Sequence, residues 1–226
     1  MSLQTIAIPP QRGQAQGLLV MLHGWGANAQ DVSALASFLN LPNYQFVFPD
    51  APFPYLYSPI GRVWYNFPEN YTFLSNPEFY DQPELTQSRQ QLIEWLRSLE
   101  STTGIPLSRT VLAGFSQGGA MTLDVGLKLP LAALMVLSGY IHAPARLAIG
   151  EGSASVPPVL MVHGRQDQVV PLAAAHQARD QLLALGVAVQ YRELDMGHEI
   201  QPHVLRLMQS FIEETVISPD SPSKPL

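Results

Sequence analysis

The sequence predicts an α/β fold in which helices cover both faces of a mostly parallel, doubly wound sheet. Short apolar runs alternate with amphipathic stretches along most of the chain. Most of these runs are apolar on both faces, as in a parallel sheet covered by helices. Strands that alternate with helices form such a sheet through right-handed crossovers. Because 226 residues with 46% hydrophobic side chains can bury the core of one mid-sized domain, we expect a single domain over residues 1–217.

Six apolar runs of four to eight residues are predicted as strands because each is bounded by turn-forming residues. In chain order they are residues 17–22, 44–48, 110–113, 133–137, 159–162 and 187–194. Residues 3–8 are a candidate edge strand. The carboxyl ends of parallel strands meet at one edge of a sheet, so side chains that follow these strands are expected to lie close together.

Five stretches between the strands are predicted as helices: 29–39, 84–101, 117–129, 172–185 and 201–215. The second stretch shows the helical period clearly. Its apolar residues fall largely on one face of a helix: Leu85, Leu92, Ile93, Leu96 and Leu99. Such a face packs against a sheet.

Two segments do not follow the alternation. Residues 49–83 are crowded with Pro, Tyr, Phe and Asn and show neither strand nor helix spacing. A long irregular segment of this kind is usually functional or disordered, and its many aromatic residues favour a packed loop. Residues 218–226, rich in Ser and Pro, are expected to form a disordered tail.

Composition excludes several function classes. The net charge of −6 comes without a basic stripe, so nucleic acid is not an expected partner. The absence of cysteine excludes disulfides, thiolate zinc sites and a cysteine nucleophile. No signal-peptide pattern begins the chain, and no uncharged apolar run reaches the roughly 20 residues that span a bilayer. We therefore expect a cytoplasmic protein with no integral membrane segment.

The pattern Gly114-x-Ser116-x-Gly118 lies between a predicted strand and a predicted helix. This is the setting of the nucleophile elbow of α/β-hydrolases, where small residues let the chain reverse sharply around an exposed serine. The backbone N–H of Gln117 would then start a helix and face a developing oxyanion. The alternative is an ordinary strand-to-helix glycine turn with a capping serine.

A serine nucleophile needs a base, and the base needs a group that fixes its tautomer. In α/β-hydrolases the chain order is Ser, then Asp or Glu, then His. Asp167 follows the strand 159–162, and His198 follows the strand 187–194. Asp195 is the rival acid because it lies so near His198. Helix capping is the alternative role of Asp167, and Asp180 and Glu193 are expected on solvated faces.

Of the six histidines, His198 is the one that follows Ser and Asp on a short loop after a strand; the others are His23, His142, His163, His176 and His203.

The glycines around Trp25 let the loop after residues 17–22 fold over the sheet edge. The N–H of Trp25 is therefore the candidate second oxyanion donor. His23 either lines the site or shapes this loop.

These motifs resemble those of the phospholipase/carboxylesterase family, which includes acyl-protein thioesterases and small carboxylesterases. The resemblance covers most of the chain and is carried by residues 22–26, 114–121, 158–171 and 196–199. The resemblance implies an α/β-hydrolase fold without metal or organic cofactor. It also implies hydrolysis of a small-molecule carboxyl ester or thioester, with an acylated protein as a further substrate.

The sequence departs from the family pattern between Pro49 and Pro83. Val63-Trp-Tyr-Asn66 has Asn where the family carries Asp. Phe53, Tyr57, Trp64 and Phe73 are candidate pocket residues, although packing within a long loop explains them equally well. An apolar pocket would favour short-to-medium acyl or aryl esters. Two alternatives stay open: an amide or peptide hydrolase on the same scaffold, and a non-catalytic protein that binds ligands in the pocket.

Overall fold

The computed structural model describes residues 3–69, 71–73, 77–147, 149 and 156–217. Its strands are β1 (Thr5–Ile8), β2 (Gly17–Leu22), β3 (Tyr44–Pro49), β4 (Phe53–Pro54), β5 (Arg62–Val63), β6 (Thr110–Phe115), β7 (Ala133–Leu137), β8 (Val159–Gly164) and β9 (Val189–Leu194). The helices are α1 (Ala29–Ser33), α2 (Pro83–Thr103), α3 (Gln117–Gly126), α4 (Leu172–Ala184) and α5 (Pro202–Ile212). The expected tail, residues 218–226, lies outside the described residues.

Seven strands form one sheet in the order β1-β3-β2-β6-β7-β8-β9. All neighbours in this sheet are parallel except the edge strand β1, which pairs antiparallel with β3. All six predicted strands and the candidate edge strand are present. The mostly parallel sheet with flanking helices confirms the predicted fold class.

Alternate residues of β2 show that helices cover both faces of the sheet. Leu18, Val20 and Leu22 belong to a core that includes apolar residues of α2, α3 and α4. Leu19 and Met21 belong to a second core that includes residues of α1 and α5. Because both faces are buried, every residue of β2 is apolar apart from its first glycine.

The helix ends follow from local sequence. α1 begins at a capping box in which the Asn28 side chain accepts from the Asp31 N–H and Asp31 accepts from the Asn28 N–H. α2 has Pro83 in its first turn and ends at Gly104, whose φ of 74° is left-handed. The predicted helix over residues 29–39 is α-helical only to Ser33, and a 3₁₀-helix continues it from Ala34 to Phe38.

The segment 49–83 contains more regular structure than its sequence predicts. β4 and β5 pair as a short antiparallel hairpin, and a 3₁₀-helix covers Pro77–Asp81. Strands of two residues are too short to show a period-2 pattern, which explains why the sequence does not predict them.

The strand order reverses at β2, because β3 lies on one side of it and β6 on the other. In open α/β sheets ligands bind at the carboxyl ends of the strands beside such a reversal. Here the loop after β2 carries Trp25 and the turn after β6 carries Ser116. Within the described part of the chain, no helix is both long and apolar enough to span a membrane.

Candidate active site

Ser116 lies at the sharp turn between β6 and α3, with φ 55° and ψ −116°. A non-glycine residue at positive φ is strained, and such strain persists where the surrounding structure enforces it. A Cβ atom on Gly118 would lie 2.5 Å from the Leu22 carbonyl oxygen, and one on Gly114 would lie 2.2 Å from the Gly118 carbonyl oxygen. Glycine is therefore required at both positions, as the motif predicts.

His198 lies within hydrogen-bond distance of both Ser116 and Asp167. Its Nδ1 is 2.7 Å from Asp167 Oδ2, and its Nε2 is 2.9 Å from Ser116 Oγ. The carboxylate can only accept, so Nδ1 carries the proton and Nε2 is free to accept from the serine hydroxyl. The side chains that the sequence selects from three separate loops thus meet in the order Asp, His, Ser.

Asp167 uses both carboxylate oxygens. Oδ1 accepts from the N–H groups of Val169 and Val170, at 2.9 and 2.8 Å, while Oδ2 faces His198. Burial favours the neutral acid, but the hydrogen bonds from His198, Val170 and Val169 outweigh burial and lower the pKa of Asp167. The carboxylate stays ionised, and the expected turn-capping role coexists with the contact to His198.

The rival acid Asp195 points elsewhere. Its carboxylate lies 2.7 Å from the Arg165 guanidinium, and its side chain is 78% exposed.

The two other acids also have partners of their own. Glu193 pairs with His176 at 2.7 Å, and Asp180 pairs with Arg179 at 2.8 Å. All three acids form ion pairs on or near the surface, so Asp167 is the acid that contacts His198.

The N–H groups of Trp25 and Gln117 lie on the loop after β2 and at the first position of α3. The loop is held by hydrogen bonds from Gly26 N–H to the Arg62 carbonyl and from Arg62 N–H to the Ala27 carbonyl, at 2.9 and 2.8 Å. Among the residues that the structure describes, neither the Trp25 nor the Gln117 N–H has an acceptor. Both donors are therefore available to an incoming oxyanion.

His23 is fully buried and positions the loop from behind. Its Nδ1 donates to the Gly24 carbonyl at 2.7 Å, and its Nε2 accepts from the Ala51 N–H at 3.0 Å. Burial lowers the pKa of His23, which keeps the ring neutral. Trp64 is equally buried, and its indole N–H donates to the His23 carbonyl at 3.0 Å. Of the two roles expected for His23, this geometry fits shaping the loop.

The side chain of Gln117 has a role that the sequence does not reveal. Its Oε1 accepts from the Trp64 N–H at 2.9 Å, and its Nε2 donates to the Tyr65 carbonyl at 2.8 Å. Gln117 thus joins the start of α3 to residues that follow β5. A fully buried glutamine beside Ser116 must find partners, but its partners lie more than 50 residues away.

The remaining pocket candidates differ in their burial and in the residues that they contact. Phe73 belongs to an apolar cluster with Ala120 of α3 and Val170 of the Asp167 turn, so it lies beside both parts of the site. Tyr57 is 81% exposed. It reaches Trp25 through Tyr55, whose ring centroid is 5.4 Å from Tyr57 and 4.7 Å from Trp25. Phe53 is half-buried in β4.

Asn66, which replaces the expected aspartate, binds an acid. Its backbone N–H and its side-chain amide donate to the Glu84 carboxylate at 2.7 and 3.1 Å. Glu84 lies in the first turn of α2, where negative charge is favoured. An aspartate at position 66 would place two carboxylates against each other, so the departure from the family pattern has a local electrostatic reason.

A second Asp–His–hydroxyl arrangement, the Asp124 chain, consists of Asp124, His142 and Tyr65. His142 Nδ1 lies 3.3 Å from Asp124 Oδ2, and His142 Nε2 lies 2.7 Å from the Tyr65 hydroxyl. Arg89 and Lys128 also pair with Asp124, at 2.8 and 2.9 Å.

Burial favours neutral Asp124. The contact with His142 and the charges of Lys128 and Arg89 outweigh burial and hold the pKa of Asp124 well below its usual range. The sequence places Asp124 within an apolar helix but does not identify these partners. No group of three or more His, Cys, Asp or Glu side chains in the described ranges could hold a metal ion.

Several known proteins are similar to this chain in sequence or in structure. Acyl-protein thioesterase 1 homolog 2 of Dictyostelium discoideum is 30% identical over 160 residues, which cover 67% of each chain. Acyl-protein thioesterase 1 of Kluyveromyces lactis is 27% identical over 178 residues, covering 74% of this chain and 76% of the relative. The crystal structure of esterase PE8 superposes with a TM-score of 0.85 at 33% identity, covering 96% of this chain and all of the other.

The profile of the phospholipase/carboxylesterase family matches residues 3–216, which is nearly the whole chain. The match includes the loop after β2, the Ser116 turn and the loops that carry Asp167 and His198. The resemblance stated from the sequence is confirmed: this chain belongs to the phospholipase/carboxylesterase family.

Proposed function

We propose that this protein is a serine hydrolase that cleaves carboxyl esters or thioesters through an acyl-enzyme intermediate. The observation that carries the proposal is the hydrogen-bonded series Ser116–His198–Asp167, with the serine on a strained turn at the start of a helix. Family membership and the esterase and thioesterase names of the relatives support ester or thioester hydrolysis.

In the proposed mechanism, Ser116 Oγ attacks the carbonyl carbon while His198 Nε2 takes the hydroxyl proton. Asp167 stabilises the imidazolium that forms on His198. The N–H groups of Trp25 and Gln117 bind the oxyanion of the tetrahedral intermediate, and each donor contributes about 3 kcal/mol. As this intermediate collapses, His198 returns the proton to the leaving oxygen or sulfur, which departs as the alcohol or thiol and leaves an acyl group on Ser116. His198 then activates a water molecule that releases the acid.

A short-to-medium acyl group or an aryl ester is the substrate class that the surroundings favour. The half-buried rings of Phe67, Tyr71 and Phe73 pack in the apolar cluster that contacts α3 beside Ser116. These rings fill space that a long chain would need, and they offer aromatic faces to a small acyl group. An acylated protein stays a candidate substrate, and a cytoplasmic location stays a prediction.

Amide or peptide hydrolysis on the same residues is the alternative, because the same mechanism applies to a poorer leaving group. A non-catalytic binding protein is disfavoured because it would not need an ionised acid, a correctly protonated histidine and a strained serine in one series.

The test is modification by a fluorophosphonate probe followed by peptide mass spectrometry. We expect the native protein to be modified at Ser116. Turnover should be measured in parallel on matched oxygen esters, thioesters, lysophospholipids and amides. Faster turnover of amides than of esters would replace the proposal with the alternative, and a native protein that neither labels nor turns over any substrate would contradict it.

A further inference from the structure

His163, the penultimate residue of β8, contacts the Asp167 turn. Its Nε2 lies 2.9 Å from the Val170 carbonyl oxygen and 3.5 Å from Asp167 Oδ2. His163 is almost fully buried, with an exposed fraction of 1%. A carbonyl oxygen can only accept, so the proton of His163 is on Nε2, and this N–H points toward the Asp167 turn.

The hydrogen bond from His163 completes the constraints on residues 167–170. Asp167 Oδ1 already accepts the N–H groups of Val169 and Val170, which holds the carboxylate to the backbone of the turn. His163 holds the carbonyl of the same Val170. The turn is therefore fixed to β8, and Oδ2 is left facing His198 Nδ1 at 2.7 Å.

The charge of His163 matters because two histidines lie near one carboxylate oxygen. Burial lowers the pKa of His163, and the charges of His198 and His176 act in the same direction, against the raising effects of the Val170 hydrogen bond and Asp167. His163 is thus neutral. A cationic ring 3.5 Å from Oδ2 would compete with the His198 imidazolium for the same negative charge.

The nearby charged groups have other partners. Glu193, the register partner of His163 on β9, binds His176 at 2.7 Å and Arg165 at 3.3 Å. Asp195, in the loop after β9, binds Arg165. The ionisable groups that act on His163 are therefore Asp167, His198 and His176.

We infer that His163 is a positioning residue for the proposed reaction: its imidazole N–H, bound to the Val170 carbonyl, fixes the 167–170 turn so that Asp167 Oδ2 faces His198. The inference rests on the proposed function, because the orientation of Asp167 toward His198 matters for catalysis only if Ser116 is the nucleophile. It goes beyond the Ser116–His198–Asp167 series because it assigns a role to a histidine whose contacts are with the Val170 carbonyl and Asp167.

The test compares His163→Gln, which keeps a neutral N–H donor at the same reach, with His163→Leu, which keeps apolar volume and loses the donor. We expect kcat for p-nitrophenyl acetate to fall roughly 10- to 100-fold in His163→Leu with little change in KM, because misorientation of a catalytic group has effects of this size. His163→Gln should stay within about threefold of the native protein.

Two readouts separate positioning from core packing. The pKa of the acid limb of kcat/KM should fall in His163→Leu, because a less ordered Asp167 stabilises the His198 imidazolium less, and should be unchanged in His163→Gln. The low-field NMR resonance of the proton between His198 and Asp167 should persist in His163→Gln and weaken in His163→Leu. If His163→Leu does not fold, His163→Met serves in its place.

A packing role predicts the opposite order, with the apolar variant the more active. That order, or equal activity and identical pH profiles in all folded variants, would overturn the inference. The native protein serves as the reference for the proposed function. If it is not labelled at Ser116, the proposed function fails, whereas normal labelling with unaffected His163 variants would count against His163 alone.

Discussion

The molecule contains two Asp–His–hydroxyl series with the same order of atoms. In one, Asp167 contacts His198 Nδ1 and Ser116 contacts Nε2, at 2.7 and 2.9 Å. In the Asp124 chain the corresponding distances are 3.3 and 2.7 Å, and the hydroxyl belongs to Tyr65. Within the part of the chain that the structure describes, His142 Nδ1 has no hydrogen-bond partner, so its contact with Asp124 is looser than the hydrogen bond between His198 and Asp167.

The two acids differ in what else they bind. Asp167 accepts neutral backbone N–H groups, so its negative charge is available to His198. Asp124 is paired with the cations of Arg89 and Lys128. A carboxylate that already neutralises cations contributes less to stabilising a second one. Asp124 thus joins α3 to α2 and to the segment after β7.

The two hydroxyls differ in access. Ser116 is 8% exposed at a strained turn, and among the described residues the neighbouring Trp25 and Gln117 N–H groups have no acceptor. Tyr65 is fully buried, its hydroxyl lies 2.6 Å from that of Tyr140, and burial raises its pKa. A nucleophile must reach a substrate carbon, and Tyr65 does not meet that requirement. Access and oxyanion donors, rather than the presence of Asp, His and OH, are the distinguishing features.

The largest expected difference comes from removing one hydroxyl from each series. Ser116→Ala should lower kcat for p-nitrophenyl acetate by about 10⁶-fold, because the nucleophile is lost. Tyr65→Phe removes a hydroxyl that no substrate reaches and should keep kcat within about threefold. Initial rates of both purified variants, with circular dichroism as a folding control, test the contrast. A large loss of activity in folded Tyr65→Phe would refute the division between the series.

The two acids should separate activity from stability. Asp167→Asn should lower kcat by about 10⁴-fold with modest change in stability, because the amide no longer fixes the histidine tautomer. Asp124→Asn should lower the free energy of unfolding by about 3 kcal/mol, because Arg89 and Lys128 lose their anion. Urea unfolding and kcat measured on both variants give the comparison. Equal effects of the two substitutions on kcat would show that the Asp124 chain serves the chemistry.

The aromatic cluster between the two series should control acyl length. Phe73 packs against Tyr140 with ring centroids 4.9 Å apart. Phe73→Ala should raise kcat/KM for an octanoate ester relative to an acetate ester by roughly tenfold, because removing a ring creates space for methylene groups. Phe38→Ala, at a position that is 67% exposed and not among the candidate pocket residues, is the matched control and should leave the ratio unchanged. An unchanged ratio in Phe73→Ala would remove Phe73 from the pocket.

The smallest effect concerns acid stability. The pKa of Asp124 is lower in the folded protein than in the unfolded chain, so its contribution to stability is complete above about pH 4 and is lost as pH falls toward the folded value. Below about pH 4 the native protein should therefore lose up to about 1.4 kcal/mol more per pH unit than Asp124→Asn. Urea unfolding between pH 5 and 3 gives the free energy of unfolding of both proteins as a function of pH. Equal slopes for the native protein and Asp124→Asn would contradict the lowered pKa of Asp124.

Much of the fold and of the candidate site follows from local sequence. The spacing of apolar residues along the sequence predicts the buried strands and the amphipathic helices. The motif around Ser116 requires glycines at fixed positions. The order of Ser116, Asp167 and His198 also restricts which side chains can meet at one edge of the sheet. These predictions depend on short-range patterns and on the geometry of parallel strands.

What the sequence could not predict depends on long-range contacts. The partners of Asp124 and of the Gln117 side chain are distant in sequence, and no local pattern links them. His163 differs, because it precedes Asp167 by only four residues; it meets Asp167 because the 167–170 turn folds back on β8, which the sequence does not predict. A buried polar side chain must have a hydrogen-bond partner, but the sequence does not show which residue that partner is.

The positive φ of Ser116 has a consequence for engineering. Glycine would relieve strain of about 1 to 3 kcal/mol at this position. This exceeds the roughly 0.5 to 1 kcal/mol by which a new glycine favours the unfolded chain, so the Ser116→Gly protein is expected to resist heat better than the native one. A selection for thermostability alone would therefore reward loss of the proposed nucleophile. Any attempt to make this protein more durable has to be scored by turnover as well as by melting temperature.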